Sequence, residues 1–322
     1  MTPDDRVYAY SAVLMGSPIL LKLFEHNQTL ASNVFRLIKL QETKLTVNRP
    51  QSEVMSVNHA AGDHAVTVSK PVFDLISRAK AVSVLENSSF NFTIGPLVKR
   101  WKIGFNGNSV PAAGDLQTLL KITDPHDVIL DEESQSVFLH KAGMEIDLGA
   151  IAKGYIADVV RDFLREQQVT QALINLGGNV QTLGAGAEGA WAIGLKKPFS
   201  DPESLIGVIN VTNKSVVTSG VYERYFALNG QRYHHILDPK TGYPLDNELL
   251  SVTIISDDSI DGDIYTTLLY GMGVEKSLRY LQNFPHIEAV FVTKDQQIIF
   301  SSPRQFTFTP LDPDYHITGS IA

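Results

Sequence analysis

The stretch Asp147-Leu-Gly-Ala-Ile-Ala-Lys-Gly-Tyr155 sets a carboxylate, a glycine-bearing turn and a lysine ahead of an amphipathic pattern. Such a junction can present backbone donors and a cation to a phosphate. The same residues also suit a plain helix start, with Asp147 as a cap and Lys153 as a solvated side chain. Asp263 and Thr267 stand four apart at the start of a predicted helix, which puts both oxygens on one face. A hard cation such as Mg²⁺ takes oxygen ligands and keeps waters and substrate phosphate, so one carboxylate, one hydroxyl and one backbone carbonyl are enough protein. The other reading is an acidic residue near a helix N-terminus, which Asp261 satisfies equally, followed by a core threonine.

His234-His235-Ile-Leu-Asp-Pro-Lys-Thr-Gly-Tyr-Pro244 joins titratable side chains to a rigid turn. A histidine there can move a proton near neutral pH, a role that contributes about 10²- to 10⁴-fold. Strand alternation alone would also turn one imidazole inward and its neighbour outward. Leu176-Gly-Gly-Asn179 follows an apolar run and reads as a tight turn or a phosphate cradle. Thr218-Ser-Gly220 offers hydroxyls and backbone donors or simply ends a strand, and Ser219 has no triad around it. The sequence holds no Walker A, no G-x-S-x-G, no H-E-x-x-H and no full dinucleotide fingerprint.

The elements that must carry these residues follow from periodicity. Alternation through the first 24 residues, ending in Ile19-Leu-Leu-Lys-Leu-Phe24, predicts a strand, and Leu30, Val34, Leu37 and Ile38 predict the helix after it. Pro71 opens a helix with Phe73, Ile76 and Ala79 on one stripe. The Gly, Pro and Asn residues between Phe105 and Gly114 predict a loop, and Val137–His140 a short strand. Ile151–Gln168 is predicted helical and Gln171–Leu176 extended. Strands Leu205–Val211 and Ser215–Thr218 flank an Asn-Lys turn, and Ser251–Ser256 is another strand. Ile264–Gln282 reads as one helix, and Glu288–Thr293 with Gln297–Phe300 as a terminal hairpin. Strands without a regular βαβ cadence indicate an α+β fold with mixed or antiparallel sheets and packed helices. No linker divides the chain, so 1–322 is taken as a single domain in which a two-lobed division stays open.

Composition narrows the function classes. At roughly 150 residues per domain, 322 residues make one large domain or two ordinary ones. A hydrophobic fraction of 43% with 19% charged residues describes a globular chain and excludes disorder as its main state. The formal net charge of -8 offers no broad footprint for nucleic acid or an anionic membrane, so an anionic ligand must be held by a few placed donors or a metal. The absence of cysteine excludes disulfides, thiolate metal sites and a cysteine nucleophile, and fits a reducing compartment. The acidic start Met1-Thr-Pro-Asp-Asp-Arg and the interruption of Ser11–Phe24 by Gly16, Pro18 and Lys22 indicate neither a signal peptide nor a span, which needs about 20 apolar residues. The expectation is a cytoplasmic protein without membrane insertion.

In their order, several strings resemble the FAD:protein FMN transferases, the ApbE-type flavin transferases. They are Met15-Gly16, Phe92-Thr-Ile-Gly-Pro-Leu-Val98, Asp147 to Tyr155, Asn175-Leu-Gly-Gly178, Thr218-Ser-Gly220, His235 to Pro244 and Asp263 to Gly273. The likeness spans most of the chain. It implies an ApbE-like fold with an FAD cleft between lobes. It also implies Mg²⁺ on the FAD pyrophosphate, and transfer of the FMN moiety to a Ser or Thr hydroxyl of a target flavoprotein as a phosphoester, with release of AMP. Position by position, the resemblance makes Asp263, Thr267 and the backbone carbonyl of Ala150 metal ligands. Met15, Met55, Ser89, Phe90, Asn91, Asp147, Lys153 and the backbone at Leu237 become FAD contacts, and His235 the acid/base residue. Asn91 stands where many relatives have Asp, and Thr266 where some carry a further Asp. Asp263 is then the one clear anionic ligand, and the metal leans on substrate oxygens and water. Two other functions share parts of this site: a Mg²⁺-dependent FAD pyrophosphatase giving AMP and free FMN, and a non-catalytic flavin-binding protein.

Overall fold

The computed structural model describes residues 6–302 and 305–318, and the acidic start Met1–Asp5 lies outside them. The chain forms two compact units, each discontinuous in sequence. Met1–Gln41, Lys153–Gly220 and Glu248–Ala322 make the first, and Glu42–Ala152 with Val221–Asn247 make the second.

The first unit is built on a nine-stranded sheet whose strands lie in sequence order. Tyr8–Leu14 is followed by Ser17–Leu23, Ala172–Leu176, Asn179–Leu183, Ser215–Gly220, Leu249–Ser256, Glu288–Thr293, Gln297–Phe300 and His316–Thr318. Every pairing is antiparallel except the last, between Gln297–Phe300 and His316–Thr318. Leu249–Ser256 and Glu288–Thr293 are buried almost throughout, as expected of strands covered on both faces, whose sequence reads as a near-continuous apolar run. Helix Ser259–Met272 packs on Ser215–Gly220 and Leu249–Ser256. A three-stranded sheet of Trp191–Lys196, Leu205–Val211 and Thr307–Pro310 shares a core with the large sheet, with Trp191, Ile209, Val211, Val290 and Phe306 in one cluster.

The second unit holds helices Glu53–His59, Lys70–Ser83, Gly95–Trp101 and Ala113–Leu120. It also holds a small antiparallel sheet of Val66–Thr67, Val128–Asp131 and Ser136–Leu139, and the hairpin Tyr225–Leu228 with Gln231–His234. Leu97, Trp101, Ile103, Leu116 and Leu237 form a core. The Trp101 indole Nε1–H donates to the carbonyl of Gly242 at 2.7 Å, which ties the Asp238–Pro244 turn to that core. The chain passes between the units at the head of helix Gly149–Glu166.

Three sequence expectations are corrected. Residues 8–23 form a hairpin and not one strand, because Met15 and Gly16 both adopt positive φ, at 54° and 66°, and reverse the chain. Ile264–Gln282 is two helices, Ser259–Met272 and Val274–Leu281, since Gly273 at φ 79° leaves the helical region between them. The first of these starts five residues before the predicted point because it is capped from elsewhere: Asp158 accepts from the N–H groups of Ser259 at 2.7 Å and Ile260 at 2.9 Å. Asp263 therefore lies in the second turn, not at the start. The pair Glu288–Thr293 and Gln297–Phe300 is a hairpin, but not terminal, as His316–Thr318 adds beyond it. The other predicted helices and strands form within a few residues of their expected bounds. The sequence reading passed over helices Glu53–His59, Gly95–Trp101 and Ala113–Leu120, each eight residues or shorter and too brief to show a helical period.

Candidate functional site

The first unit gathers Lys153, Asp263 and Thr267 with residues from two turns of the large sheet. Helix Gly149–Glu166 aims the backbone N–H of Gly154 at Asp263 Oδ2, 2.6 Å away. The opposite oxygen, Oδ1, accepts the Asn179 side-chain amide at 2.8 Å. Glycine is required at 154: a Cβ there would lie 2.5 Å from the Ser259 carbonyl and 2.6 Å from Asp263 Oδ2. Lys153 Nζ donates to Ser17 Oγ at 3.2 Å, so the lysine reaches the strand that follows the Met15-Gly16 turn. A Cβ on Gly177 would fall 3.0 Å from that amine, and the residue holds φ 61° in the turn before Asn179. The neighbouring Gly178 N–H is held by Asn175 Oδ1 at 2.9 Å.

Asp263 is 8% exposed, and desolvation raises its pKa to about 7. The Asn179 amide, the Gly154 N–H and the positive charge of Lys153 act in the opposite direction. The charge of Asp158 adds to the rise, and both side-chain oxygens are held by neutral donors. The Thr267 hydroxyl lies one helical turn on and reaches the Asp263 carbonyl at 3.3 Å. Thr266 is not available in the same way, being 1% exposed. Its hydroxyl accepts from Ser219 at 3.0 Å and donates to the Asp263 carbonyl at 3.0 Å. Among the described residues no group of three or more His, Cys, Asp or Glu is placed to hold a metal. The donors present are hard oxygens, one anionic and the rest neutral.

Met15 lies in the first unit, in the turn between Tyr8–Leu14 and Ser17–Leu23, and the second unit carries the remaining predicted residues. Asp147 Oδ1 accepts the Gly149 N–H at 2.8 Å, and its own N–H donates to the Phe92 carbonyl at 2.8 Å. It does cap the helix, as the plainer reading allowed. Burial raises its pKa, helped by the charge of Glu145 and opposed by the Gly149 bond and Lys99. Ala150 lies exposed in the first turn of that helix. Met55 is buried on helix Glu53–His59, its N–H capped by Ser52 Oγ at 3.0 Å. Phe90 is buried and Ser89 half-buried. The Asn91 amide donates to the Thr123 carbonyl at 2.8 Å, and its Oδ1 accepts from the N–H and hydroxyl of Thr93 at 2.9 and 2.6 Å. A carboxylate at 91 would keep the last two bonds and lose the first. Asn91, Ser88, Thr123, His126 and Lys240 line an open groove of about 420 Å³.

His234 ends strand Gln231–His234, and His235 lies just beyond it. His234 is buried, donating from Nε2 to the Leu245 carbonyl at 2.7 Å and accepting the Ile236 N–H on Nδ1 at 3.2 Å. His235 is half-buried, with Nδ1 3.2 Å from the Arg224 carbonyl. A carbonyl only accepts, so the proton sits on Nδ1 and the Nε2 lone pair is left as the basic atom. Desolvation pushes the imidazole pKa down to about 4, aided by the charges of Arg224 and His234 and opposed by the carbonyl bond. Leu237 is buried, and its backbone bridges to Pro244.

Sequence reasoning missed Ser17, Gly154 and the side chain of Asn179. Gly154 and Asn179 both lay inside strings already singled out, but their partner Asp263 is 109 and 84 residues away.

The model of the ApbE family matches residues 15–291. A FAD:protein FMN transferase of Klebsiella pneumoniae (strain 342) is 63% identical over 319 residues, 99% of each chain. One of Treponema pallidum (strain Nichols) is 33% identical over 91% of this chain and 86% of its own. The crystal structure of the ApbE protein from Thermotoga maritima superposes with a TM-score of 0.79 at 31% identity, covering 90% of this chain and 95% of that one. The apo flavinyl transferase ApbE of Pseudomonas stutzeri gives 0.78 at 26% identity, with 95% of both covered. The α+β fold of this chain is the fold of those structures.

Proposed function

This chain belongs to the ApbE family, and on that premise we propose that it transfers the FMN moiety of FAD to a Ser or Thr hydroxyl of a target flavoprotein, releasing AMP. The observation that carries the reading is the Asp263 carboxylate, buried yet held on both oxygens by neutral donors, with Lys153 as the nearby cation. A buried carboxylate kept from a full ion pair is suited to a divalent metal.

Mg²⁺ fits the donor set, which offers the Asp263 carboxylate and the Thr267 hydroxyl and no soft ligand. We assign Asp263, Thr267 and the Ala150 carbonyl to it. In a regular helix the Ala150 carbonyl accepts the N–H of Gly154, and Asp263 competes for that same N–H. When bound, the metal supplies Lewis-acid neutralisation of pyrophosphate charge, worth several kcal/mol.

The rest falls to the protein's own groups. Lys153 binds a phosphate oxygen from the Ser17 side, and Met15, Met55, Ser89, Phe90, Asn91, Asp147 and Leu237 contact the dinucleotide. The acceptor hydroxyl oxygen forms a bond to the FMN phosphorus, the bond from that phosphorus to the AMP oxygen breaks, and the hydroxyl proton passes to Nε2 of His235. The Arg224 carbonyl keeps the imidazole in the tautomer this step needs. We take 1–322 as one functional domain, a reading supported by the family match over residues 15–291.

Among the described residues no helix is long and apolar enough to cross a membrane. We place the protein in the cytoplasm, which its cysteine-free composition supports, and cell fractionation tests that placement. The activity is tested by incubating the protein with FAD and Mg²⁺, with and without a flavoprotein domain. A mass gain of one FMN phosphoryl group on the domain, with AMP released and both lost on chelation, supports the transfer. AMP with free FMN and no mass gain would make it a pyrophosphatase.

A further inference from the structure

Leu176-Gly-Gly-Asn179 reads in sequence as a turn or a phosphate cradle, and neither reading uses the side chain of Asn179. The fold gives that side chain a fixed place. Asn179 opens strand Asn179–Leu183 and pairs with Leu176 on one side and Val217 on the other, so its backbone is set by two neighbouring strands. It is 7% exposed, and its Nδ2 lies 2.8 Å from Asp263 Oδ1. Only the NH₂ end of the amide can donate to a carboxylate, which fixes the orientation of the group.

With the Gly154 N–H at 2.6 Å on Oδ2, both oxygens of Asp263 are held from opposite sides. The two donors come from different elements, a helix and a sheet strand, so the carboxylate cannot rotate about its Cβ–Cγ bond without losing one of them. Both donors are uncharged. A lysine or arginine in place of Asn179 would neutralise the carboxylate and compete with a divalent cation, whereas an amide orients it and leaves its charge and remaining lone pairs free.

We propose that Asn179 is a positioning residue that orients Asp263 for a divalent cation. This rests on the assignment of Asp263 as a metal ligand made above. The test uses Asn179→Leu, which keeps the shape and removes the donor, and Asn179→Ala as a second variant should the first fail to fold. Mn²⁺ binding is followed by electron paramagnetic resonance in the presence of FAD. In parallel, AMP release is measured across a Mg²⁺ titration, with KM for FAD at saturating Mg²⁺ and the melting temperature as controls.

The expected result is a rise in the metal concentration for half-saturation of roughly 10- to 100-fold in both readouts, with KM for FAD and melting temperature little changed. Wild-type metal affinity in a folded variant overturns the proposal. So does a parallel loss of FAD and metal binding, which marks a merely structural residue. Failure of the underlying reading looks different: wild-type protein would bind no Mn²⁺ and Asp263→Asn would stay active, and the role of Asn179 would fall with it.

Discussion

The backbone N–H of Gly154 meets Oδ2 of Asp263 at 2.6 Å, joining the helix that carries Lys153 to the helix that carries Asp263. A Cβ at 154 would enter that contact and strike the Ser259 carbonyl and the Ile260 Cα, at 2.5 and 2.8 Å, which are backbone atoms and cannot swing aside. Gly154→Ala should therefore push the two helices apart and cost ~1–3 kcal/mol of stability, as overpacking does. The displacement also moves Asp263, so metal-dependent AMP release should fall further than the stability loss explains. Urea denaturation and a Mg²⁺ titration of AMP release measure the two effects. A variant with wild-type stability and activity would show that the helices are not held at this distance.

Burial of Asp263 predicts an inverted pH response in the metal-free protein. Its pKa is raised from 3.8 to about 7 on folding, so the folded state holds the proton more tightly than the unfolded state. The associated stability is fully present below the unfolded pKa and is lost as pH rises through about 7. Without metal, Asp263→Asn should be more stable than the parent protein at pH 8 and no more stable at pH 5, read from urea midpoints in chelator. With FAD present throughout, adding Mg²⁺ at pH 8 should restore the parent's stability and leave the variant unmoved. Equal midpoints at both pH values would show that Asp263 is not a strained carboxylate.

Most of what the sequence shows of this site is what lies close together along the chain. Asp147 and Gly149 are two apart, and their cap was readable from the string itself. Asp263 and Thr267 are four apart, and helical spacing alone aligned them. The residues that orient Asp263 were not readable, because Gly154 and Asn179 reach it only through tertiary packing. The same reason displaced the start of helix Ser259–Met272: its cap is Asp158, 101 residues before Ser259. Gly273 was a readable exception, a glycine after a helical stretch and so a stop signal, but the apolar period continuing into Val274–Leu281 masked it.

Gly177 leaves room for the Lys153 amine. A Cβ there would lie 2.8 Å from Ser17 Cβ and 3.0 Å from Lys153 Nζ, in a backbone conformation at φ 61° that alanine adopts poorly. The lysine end is flexible and will yield before the Ser17 strand does, so Gly177→Ala should displace the ammonium from its place beside Ser17. If Lys153 binds a phosphate oxygen of FAD, KM for FAD should rise by about tenfold, the size expected for a weakened hydrogen bond to a charged group. Lys153→Ala should produce at least the same rise. Steady-state AMP release at saturating Mg²⁺ checks both, and an unchanged KM in Lys153→Ala would remove the lysine from the binding site.

His235 should act in the neutral form across the working range. Its pKa is pushed down to about 4, and its Nδ1–H is committed to the Arg224 carbonyl, so Nε2 is free to take a proton at any pH above about 5. His235→Asn should slow FMN transfer by about 10²- to 10⁴-fold, the span of a general base, while FAD binding measured by flavin fluorescence changes little. Stability gives an independent sign. The folded pKa lies below the unfolded value of 6.5, so the stability linked to His235 is present above pH 6.5 and is lost as pH falls toward 4. His235→Asn should lose less stability than the parent across that window. If the variant instead loses FAD binding and transfer equally, the imidazole holds the dinucleotide and another group takes the proton.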